Sequence, residues 1–319
     1  GFDRTYDMTQ ASTWNPAWAQ VDSGKMSGVV LDASKAPIVG ATITAKNERT
    51  GEERATKSAV DGTYQIAALR PSFYTISVAA DQFASAEDKG VQLTVGQEVH
   101  RSFTMQVATL TSSISVIGTV ESAIDTTSAS IGVNVNQREV NDLPMNGRQV
   151  SHLFLQAPGA QNTGSGTFND IRFSGRAVEQ NAVRYDGVEG GGVIDSQPGV
   201  LNAEISTPFR LQSSLENVQE FRVESNNYPA EYGTGSGGQI SVITKSGSNA
   251  FHGSLYEFLR NDKLDAHNFF DRANRPSELR LNQFGASLGG PIVKDKFFFY
   301  AYYEGYRLRS GINYREAVP

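Results

Sequence analysis

The sequence predicts a mainly β protein built from a β-sandwich, a mixed α+β region and a final set of antiparallel strands. Glycine is frequent, at 31 residues, and there are 17 Phe and 12 Tyr. Short β-branched runs alternate with turn signals, a pattern typical of all-β chains. The chain is 39% hydrophobic and 19% charged, which permits buried cores and argues against general disorder. No run of about 18 apolar residues predicts a transmembrane helix.

Charge and cysteine content exclude several classes of function. The formal net charge of −6 argues against a nucleic-acid-binding surface. The chain has no cysteine, which excludes a disulfide framework and a thiolate metal site. A lack of thiols also fits an oxidising cell-envelope location.

Residues 1–26 give little structural signal. Ala17-Trp18-Ala19 before Gln20 has the small-x-small form of a signal-peptidase site. The preceding residues lack an apolar stretch that could serve as a signal. We interpret the segment as a leader remnant or a disordered tail, and a chance occurrence of the Ala-Trp-Ala pattern stays open.

Residues 27–107 predict a sandwich of roughly seven strands, because strand patterns recur about every ten residues with turns between them. Tyr74, Ile76 and Val78 share one strand face, whereas Thr75 and Ser77 share the other. Asp61-Gly62 marks one of the turns.

Residues 108–245 begin with a Ser/Thr-rich stretch that holds one short extended run at 114–116. A short helix is predicted to end at Leu143-Pro144, and a second apolar helix spacing ends at Pro158-Gly159. Two strands around a turn are predicted over 171–190, and a short helix start running into a strand over 214–225.

Four glycines at 233–238 could suggest a phosphate-binding loop. Such a loop needs a helix directly after it. Ile240 to Thr244 instead read as a strand, so we expect no nucleotide site.

Residues 246–319 contain three candidate strands of about ten residues each. In the middle one, Phe284, Ala286 and Leu288 share one face, and Gln283, Gly285 and Ser287 share the other. That alternation is typical of outer-membrane strands, and the aromatic run 297–306 is typical of an interfacial girdle. A short turn follows Gly290, whereas a longer loop lies at the opposite ends of the strands.

The first region resembles the carboxypeptidase regulatory-like domain, which has a prealbumin-like fold. The matching residues are Gly28, Asp32, Pro37, Gly40, Ala41, Asp61, Gly62, Tyr64, Leu69, Pro71, Tyr74 and Phe83. A glycine usual after Asp32 is missing, and "LRPSFY" stands where the family has a Pro-Gly-Tyr turn. The resemblance implies no catalytic residues in this domain.

The remainder resembles the plug and first barrel strands of TonB-dependent outer-membrane receptors, in the Oar-like subgroup. The motifs are "LPMNGR", "RFSGR", "NAVRYDGV", the run 217–262 and "GGPIVKDKFFFYAYYEGYR". The resemblance implies a linker and α+β plug domain over 108–245 and the first antiparallel barrel strands over 246–319. The plug motif then comprises Leu143, Pro144, Asn146, Gly147, Arg148, Gly175, Arg176, Asp186 and Gly187. Three strands cannot close a barrel, so we expect an N-terminal fragment of a longer protein.

The resemblance also implies partners, a location and a mechanism. A substrate enters from outside, and an inner-membrane TonB-type coupling protein pulls on a segment before the plug by β-strand addition. The candidate segment is Ile114, Ser115, Val116 and Ile117, with an ordinary connecting strand as the alternative. Gly233, Gly235, Gly237 and Gly238 would lie at the plug–barrel junction, where backbones pass closely. The barrel would contact outer-membrane lipid, and the N-terminal domain would be periplasmic.

Catalytic, cofactor and metal sites are not expected. His100, His152, His252 and His267 lack metal-ligand spacing. Asp262, Asp265 and Asp271 predict a solvated acidic loop more than a calcium site. The acids Asp170, Asp186, Glu189 and Asp195 near Arg172, Arg176 and Arg184 suggest plug–barrel salt bridges.

The function expected is uptake of a small molecule, saccharide or peptide by a non-enzymatic transporter. One alternative is a secreted or surface adhesion protein whose sandwich contacts carbohydrate or protein. Another is a regulator that signals through the sandwich and plug without transport.

Overall fold

The structure, a computed structural model, describes residues 23–108, 129–143, 148, 151–162, 171–189, 214–228, 232–233, 235–264, 266 and 278–310. Three β assemblies follow one another along the chain: an N-terminal sandwich, a central sheet and a C-terminal sheet. The predicted fold class is confirmed. The predicted domain limits stay predictions.

The N-terminal sandwich contains eight strands, one more than predicted. They are β1 (Gly24–Asp32), β2 (Thr42–Asn47), β3 (Glu53–Lys57), β4 (Thr63–Leu69), β5 (Ser72–Ala79), β6 (Ala86–Leu93), β7 (Glu98–His100) and β8 (Phe103–Met105). One sheet has the order β4-β1-β7, with β8 also on β1, and the other has the order β3-β2-β5-β6. The extra strand arises because β7 and β8 are separate three-residue strands that both run parallel to β1.

Alternation along the strands fills the space between the two sheets. Tyr74, Ile76 and Val78 are buried and belong to one apolar core with Met26 and Phe103. Each such side chain contributes about 1.5–3 kcal/mol when it is fully buried. The sandwich therefore has a core of its own.

The central sheet has five strands in the order β13-β12-β15-β14-β9. Their bounds are β9 (Ile131–Val135), β12 (Ala182–Tyr185), β13 (Val188–Glu189), β14 (Val218–Asn226) and β15 (Gln239–Thr244). β9 lies at one edge and pairs antiparallel with β14. A separate antiparallel pair joins β10 (Ala160–Asn162) to β11 (Ile171–Phe173).

Two short helices pack on the apolar face of the central sheet. Helix α1 (Gln137–Asp142) begins at Asn136, which forms a capping box with Glu139, and it ends at Leu143 in extended conformation. This end confirms the prediction made from the following proline. Helix α2 (Ser151–Phe154) places Phe154 edge-on against Phe221, with ring centroids 5.1 Å apart.

The prediction of two strands around a turn over 171–190 is incomplete. This stretch contains β11, a 3-10 turn (Val178–Gln180), β12 and β13. A turn at Asp186-Gly187, with φ of 49° and 84°, joins β12 to β13. The additional turn was missed because a three-residue 3-10 segment has too few residues to show a period.

The C-terminal sheet consists of β16 (His252–Asn261), β17 (Leu279–Val293) and β18 (Phe297–Ser310), all antiparallel. β17 and β18 are 15 and 14 residues long, longer than the ten predicted. Gln283, Gly285 and Ser287 are buried, whereas Ala286 and Leu288 are exposed, which confirms the predicted alternation. We call the face of Gln283 the inner face and the face of Leu288 the outer face.

The outer face carries large exposed side chains. Leu255 is 87% exposed, and Leu288, Phe297 and Tyr303 are also exposed. In the described parts of the chain, no helix combines the length and apolar character needed to span a membrane.

Candidate functional site

The central sheet meets the inner face of the C-terminal sheet through a polar interface centred on Glu216. This residue lies in a 3-10 turn (Leu215–Asn217) that leads directly into β14. Its carboxylate accepts hydrogen bonds from the Ser254 hydroxyl and, at 2.9 Å, from the Ser287 hydroxyl. The Tyr300 hydroxyl donates to the backbone carbonyl of Glu216 at 3.0 Å. Three strands of the C-terminal sheet thus converge on one residue.

A second carboxylate enters the interface from the opposite side. Glu304 lies on β18 and accepts a hydrogen bond from the Ser214 hydroxyl of the central region. Tyr256 and Gln283 donate to the same carboxylate at 2.6 and 2.9 Å. Hydrogen bonds to a charged acceptor contribute about 1.5–3 kcal/mol each. Glu304 therefore ties two barrel-type strands to the turn that carries Glu216.

Two cations from the central region complete the interface. The Lys245 ammonium lies 3.4 Å from Glu216, and the Arg148 guanidinium lies 3.9 Å from it. Arg148 also stacks over the rings of Tyr256 and Phe258, at 4.6 and 4.5 Å from their centroids. Cation–π contacts of this kind favour arginine.

The surroundings of Glu216 stabilise its charged form. Burial by itself raises the pKa of the Glu216 carboxyl. The hydrogen bonds from Ser254 and Ser287 and the charge of Lys245 lower this pKa by more than burial raises it. The net effect is a pKa below the ordinary value. The carboxylate is thus held ionised at neutral pH.

The glycine loop before β15 packs tightly against neighbouring backbone and rings. A Cβ on Gly238 would lie 2.3 Å from the Phe173 ring, and one on Gly237 would lie 2.5 Å from the Asn181 side chain. Gly235 has a φ of 76°, and a Cβ there would lie 2.7 Å from the Gln180 carbonyl. Gly233 has a φ of 68° with open space around it. Side chains larger than hydrogen are thus excluded by space at Gly238 and disfavoured by conformation at Gly235.

A buried arginine holds this loop from the other side. Arg184 donates to Gln239 at 3.0 Å and to the backbone carbonyl of Tyr232. The Asn181 side chain accepts a hydrogen bond from the Gly238 backbone amide at 2.8 Å and donates one to the Ile171 carbonyl at 2.9 Å. Loop and sheet are therefore cross-linked by side-chain amides and one guanidinium.

Other residues of the predicted plug motif lie on the central sheet. Asp186 accepts from the amide and hydroxyl of Thr244, at 3.0 and 2.6 Å. Arg176 donates to Asn226 at 3.0 Å, next to Gly175 with a φ of 75°. Pro144, Asn146 and Gly147 lie outside the described residues.

Among the described residues, the charged side chains that contact the C-terminal sheet from the central region are Glu216 and Arg148, and not the acids and arginines that the sequence suggested. The contacts given above for Arg176, Arg184 and Asp186 join parts of the central region to one another. Asp170 and Asp195 lie outside the described residues. The carboxylates of Glu216 and Glu304 accept the hydrogen bonds across the interface instead. Glu304 could have been noticed in the sequence, as the single charge in the aromatic run 297–306.

The remaining predicted sites fall largely outside the described residues. These include the candidate coupling segment Ile114–Ile117 and the loop residues Asp265, His267 and Asp271. Among the residues that the structure describes, no group of three His, Cys, Asp or Glu side chains could hold a metal ion.

Two family models match the chain. The carboxypeptidase regulatory-like domain matches residues 25–106, and an outer membrane β-barrel domain matches residues 243–319. Together they cover the sandwich and the C-terminal sheet, and the second places the protein in the outer membrane.

The chain is also similar to the TonB-dependent transporter Oar of Myxococcus xanthus. The two are 28% identical over 302 residues, which cover 89% of this chain and 27% of the relative. The chain thus spans about a quarter of the length of this curated relative.

Two solved receptor structures show a partial likeness. One is the ferric enterobactin receptor PfeA, with 20% identity, a TM-score of 0.42, and coverage of 58% of this chain and 26% of that chain. The other is the siderophore receptor PirA from Acinetobacter baumannii, with 21% identity, a TM-score of 0.39, and coverage of 55% and 24%.

The matches to the two family models and to Oar agree with the resemblance in the sequence motifs. The chain is similar to TonB-dependent outer-membrane receptors of the Oar-like subgroup.

Proposed function

We propose that this chain forms the N-terminal domain, plug and first barrel strands of a transporter that takes up a substrate across the outer membrane. One observation carries the proposal: the central sheet packs on the inner face of strands whose outer face is apolar. Glu216, which accepts from Ser287, and Glu304, which accepts from Ser214, hold the two together. A plug inside a barrel has this arrangement, whereas a secreted adhesion protein has no need of an exposed apolar face.

The orientation follows from the connections between strands. Outer-membrane barrels have short periplasmic turns and longer external loops. Residues 294–296 separate β17 from β18 along the chain, whereas the longer stretch 262–278 separates β16 from β17. The sandwich contacts the short-turn side, because the Arg49 carbonyl accepts from the Asn249 amide at 2.9 Å and Asn249 bonds Asp295. The sandwich is therefore periplasmic in this proposal.

Energy would reach the plug through the segment Ile114–Ile117. It lies in sequence between the end of the sandwich and β9, the edge strand of the plug sheet. An inner-membrane TonB-type protein would add a strand to this segment and pull. The substrate would be a small molecule, saccharide or peptide, and no catalytic step is involved.

A proline scan of the linker tests this mechanism. Strand addition uses backbone N–H groups, which proline lacks. Val116→Pro in the full-length receptor should lower substrate uptake at least tenfold while leaving the amount of receptor in the outer membrane unchanged. Ala123→Pro, in the same linker but outside the segment, serves as the control. Normal uptake by Val116→Pro would reject Ile114–Ile117 as the coupling segment.

A further inference from the structure

The N-terminal sandwich is bonded directly to plug strand β14. The backbone amide of Val95, in the turn between β6 and β7, donates to the Glu220 carboxylate at 2.7 Å. The neighbouring Gln219 donates to the Pro71 carbonyl at 3.3 Å and lies 3.4 Å from the Arg49 guanidinium. Glu220 is only 5% exposed. A buried carboxylate of the plug thus depends on the sandwich for its hydrogen bond.

The same side of the sandwich also reaches the barrel. The Asn249 amide donates to the Arg49 carbonyl at 2.9 Å, in the turn between β2 and β3. Asn249 and Asp295 exchange two hydrogen bonds, of 2.7 and 2.9 Å, across the first periplasmic turn. A Cβ on Gly51 would lie 2.5 Å from the Asp295 carboxylate. The sandwich therefore touches the plug, the plug–barrel connection and the turn between β17 and β18 together.

The linker that carries the candidate coupling segment is fixed at both ends. At its start, the Ala108 amide donates to the Gln82 carbonyl at 2.9 Å, within the sandwich. At its end, β9 pairs with β14 from Phe221 to Asn226. Tension applied between these ends acts on β14 in two places: through β9, and through the sandwich at Gln219 and Glu220.

The contact is polar and incompletely packed. A cleft of about 540 Å³ separates the sandwich from helix α1, lined by Phe73, Arg138 and Glu220 among others. A second, of about 640 Å³, lies between the sandwich and the periplasmic turn, lined by Arg54 and Lys296 among others. Polar interfaces between domains of one chain resemble transient protein–protein contacts, and relative motion is expected unless the interface is large and hydrophobic. The sandwich is thus attached in a way that permits release.

We propose that the N-terminal sandwich is a releasable brace that holds the plug against the first periplasmic turn of the barrel, and that pulling on the linker detaches it before the plug rearranges. The proposal rests on the transport function given above. It assigns the sandwich a mechanical role, with Glu220 and Asn249 as its two attachment points.

A disulfide between residues 49 and 249 tests the brace. The 2.9 Å bond between the backbones of these residues keeps their Cα atoms about 5–6 Å apart, within disulfide range. The chain contains no cysteine, so Arg49→Cys with Asn249→Cys in the full-length receptor gives a defined pair. In outer membranes without an energy source, most of the receptor should form the crosslink. In energised cells the yield should fall at least twofold, without any need to know the substrate.

Uptake supplies the second measurement. The oxidised double variant should lose uptake at least tenfold, and reduction should restore it. The single variants serve as controls for the lost side chains. Val60→Cys with Asn249→Cys, which uses an exposed sandwich residue, serves as the control for random crosslinking.

The outcomes separate the brace from the transport proposal. Absence of the crosslink at rest would overturn the docking, and an unchanged yield in energised cells, or normal uptake by the crosslinked receptor, would overturn the release. An energy-dependent yield without uptake of any substrate would instead reject transport and leave the brace standing.

Discussion

Glu216 of the central region, the proposed plug, and Glu304 of strand β18 each accept hydrogen bonds from the other side of the interface between the central region and the C-terminal sheet. Glu216 accepts from Ser254 and Ser287 of the barrel strands, and Glu304 accepts from Ser214 of the plug. Each carboxylate thus accepts hydrogen bonds from serine hydroxyls on the other side of the interface. These hydrogen bonds tie the turn that carries Ser214 and Glu216 to particular positions on the inner face of the strands.

Replacing Glu216 by alanine should destabilise the plug. The change removes the acceptor for both serines and leaves the Lys245 ammonium, with 10% of its side chain exposed, without this partner. We expect the plug to lose about 1–3 kcal/mol of stability. Urea unfolding of the full-length receptor, followed by hydrogen exchange of peptides from β14 and β15, measures the loss.

Glu257→Ala is the matched control for this change. Glu257 is an exposed carboxylate on β16, but it lies on the outer face, opposite Phe284 in the register. Its replacement should leave exchange in β14 unchanged. Equal losses for the two variants would show that the effect comes from removing a negative charge in general and not from the interface.

The barrel strands could be predicted from the sequence because their signal is local. Gln283, Gly285 and Ser287 alternate with Phe284, Ala286 and Leu288, and a period of two needs no knowledge of distant residues. The lengths of β17 and β18 were underestimated, since the alternation weakens at the polar ends of the strands. The capped helix α1 was predictable for the same local reason.

The plug–barrel interface could not be predicted in the same way. Ser214 and Glu216 lie in the turn that leads into a strand, which the sequence indicates, but their partners lie on strands 38 to 90 positions away. The acids near Arg176 and Arg184 were closer in sequence and suggested salt bridges to the barrel. In the structure, Arg184 instead bonds Gln239 on the adjacent strand of the central sheet. Closeness to acidic residues in the sequence therefore did not identify its partner.

Replacing Gly238 by alanine should destabilise the plug through overpacking. The new Cβ would lie 2.3 Å from the ring of Phe173, which is fully buried, so the ring or the backbone would have to move. We expect a loss of about 1–3 kcal/mol, measured by urea unfolding. Gly233→Ala, with open space but a φ of 68°, should cost only about 1–2 kcal/mol for conformation.

A smaller side chain at position 173 should rescue the Gly238→Ala variant. Phe173→Leu combined with Gly238→Ala should be more stable than the sum of the two single losses indicates, since the residues share one space. If the loss of stability in the double variant equals the sum of the two single losses, Gly238 is needed for a reason other than its contact with the Phe173 ring.

Docking of the sandwich should weaken as pH rises through neutrality. Burial raises the pKa of Glu220 to about 7 from an ordinary 4.5, although the Val95 amide opposes the shift. The docked state therefore binds a proton that the undocked state releases. This contribution to docking is complete below pH 4.5 and is lost as pH rises through about 7. The other charged side chains that line the cleft beside Glu220 are Arg49, Arg138 and Asp142.

Hydrogen exchange of the peptide that contains Val95 measures this effect. After correction for the intrinsic exchange rate, protection should be several-fold higher at pH 6 than at pH 8. Glu220→Gln cannot ionise and should show equal protection at both values. A pH dependence that persists in Glu220→Gln would assign the effect to another group.

An arginine in place of Leu255 should interfere with membrane assembly. Leu255 is 87% exposed and lies on the outer face of β16, opposite Ala286. If this face contacts lipid, an arginine near the middle of the bilayer costs about 2–4 kcal/mol, and the fraction of heat-resistant folded receptor in outer membranes should fall. Leu264→Arg is the control, because Leu264 is 78% exposed in a 3-10 turn beyond the strand and water tolerates the charge there. Full assembly of Leu255→Arg would mean that the outer face meets water, and the argument for a membrane barrel would fail.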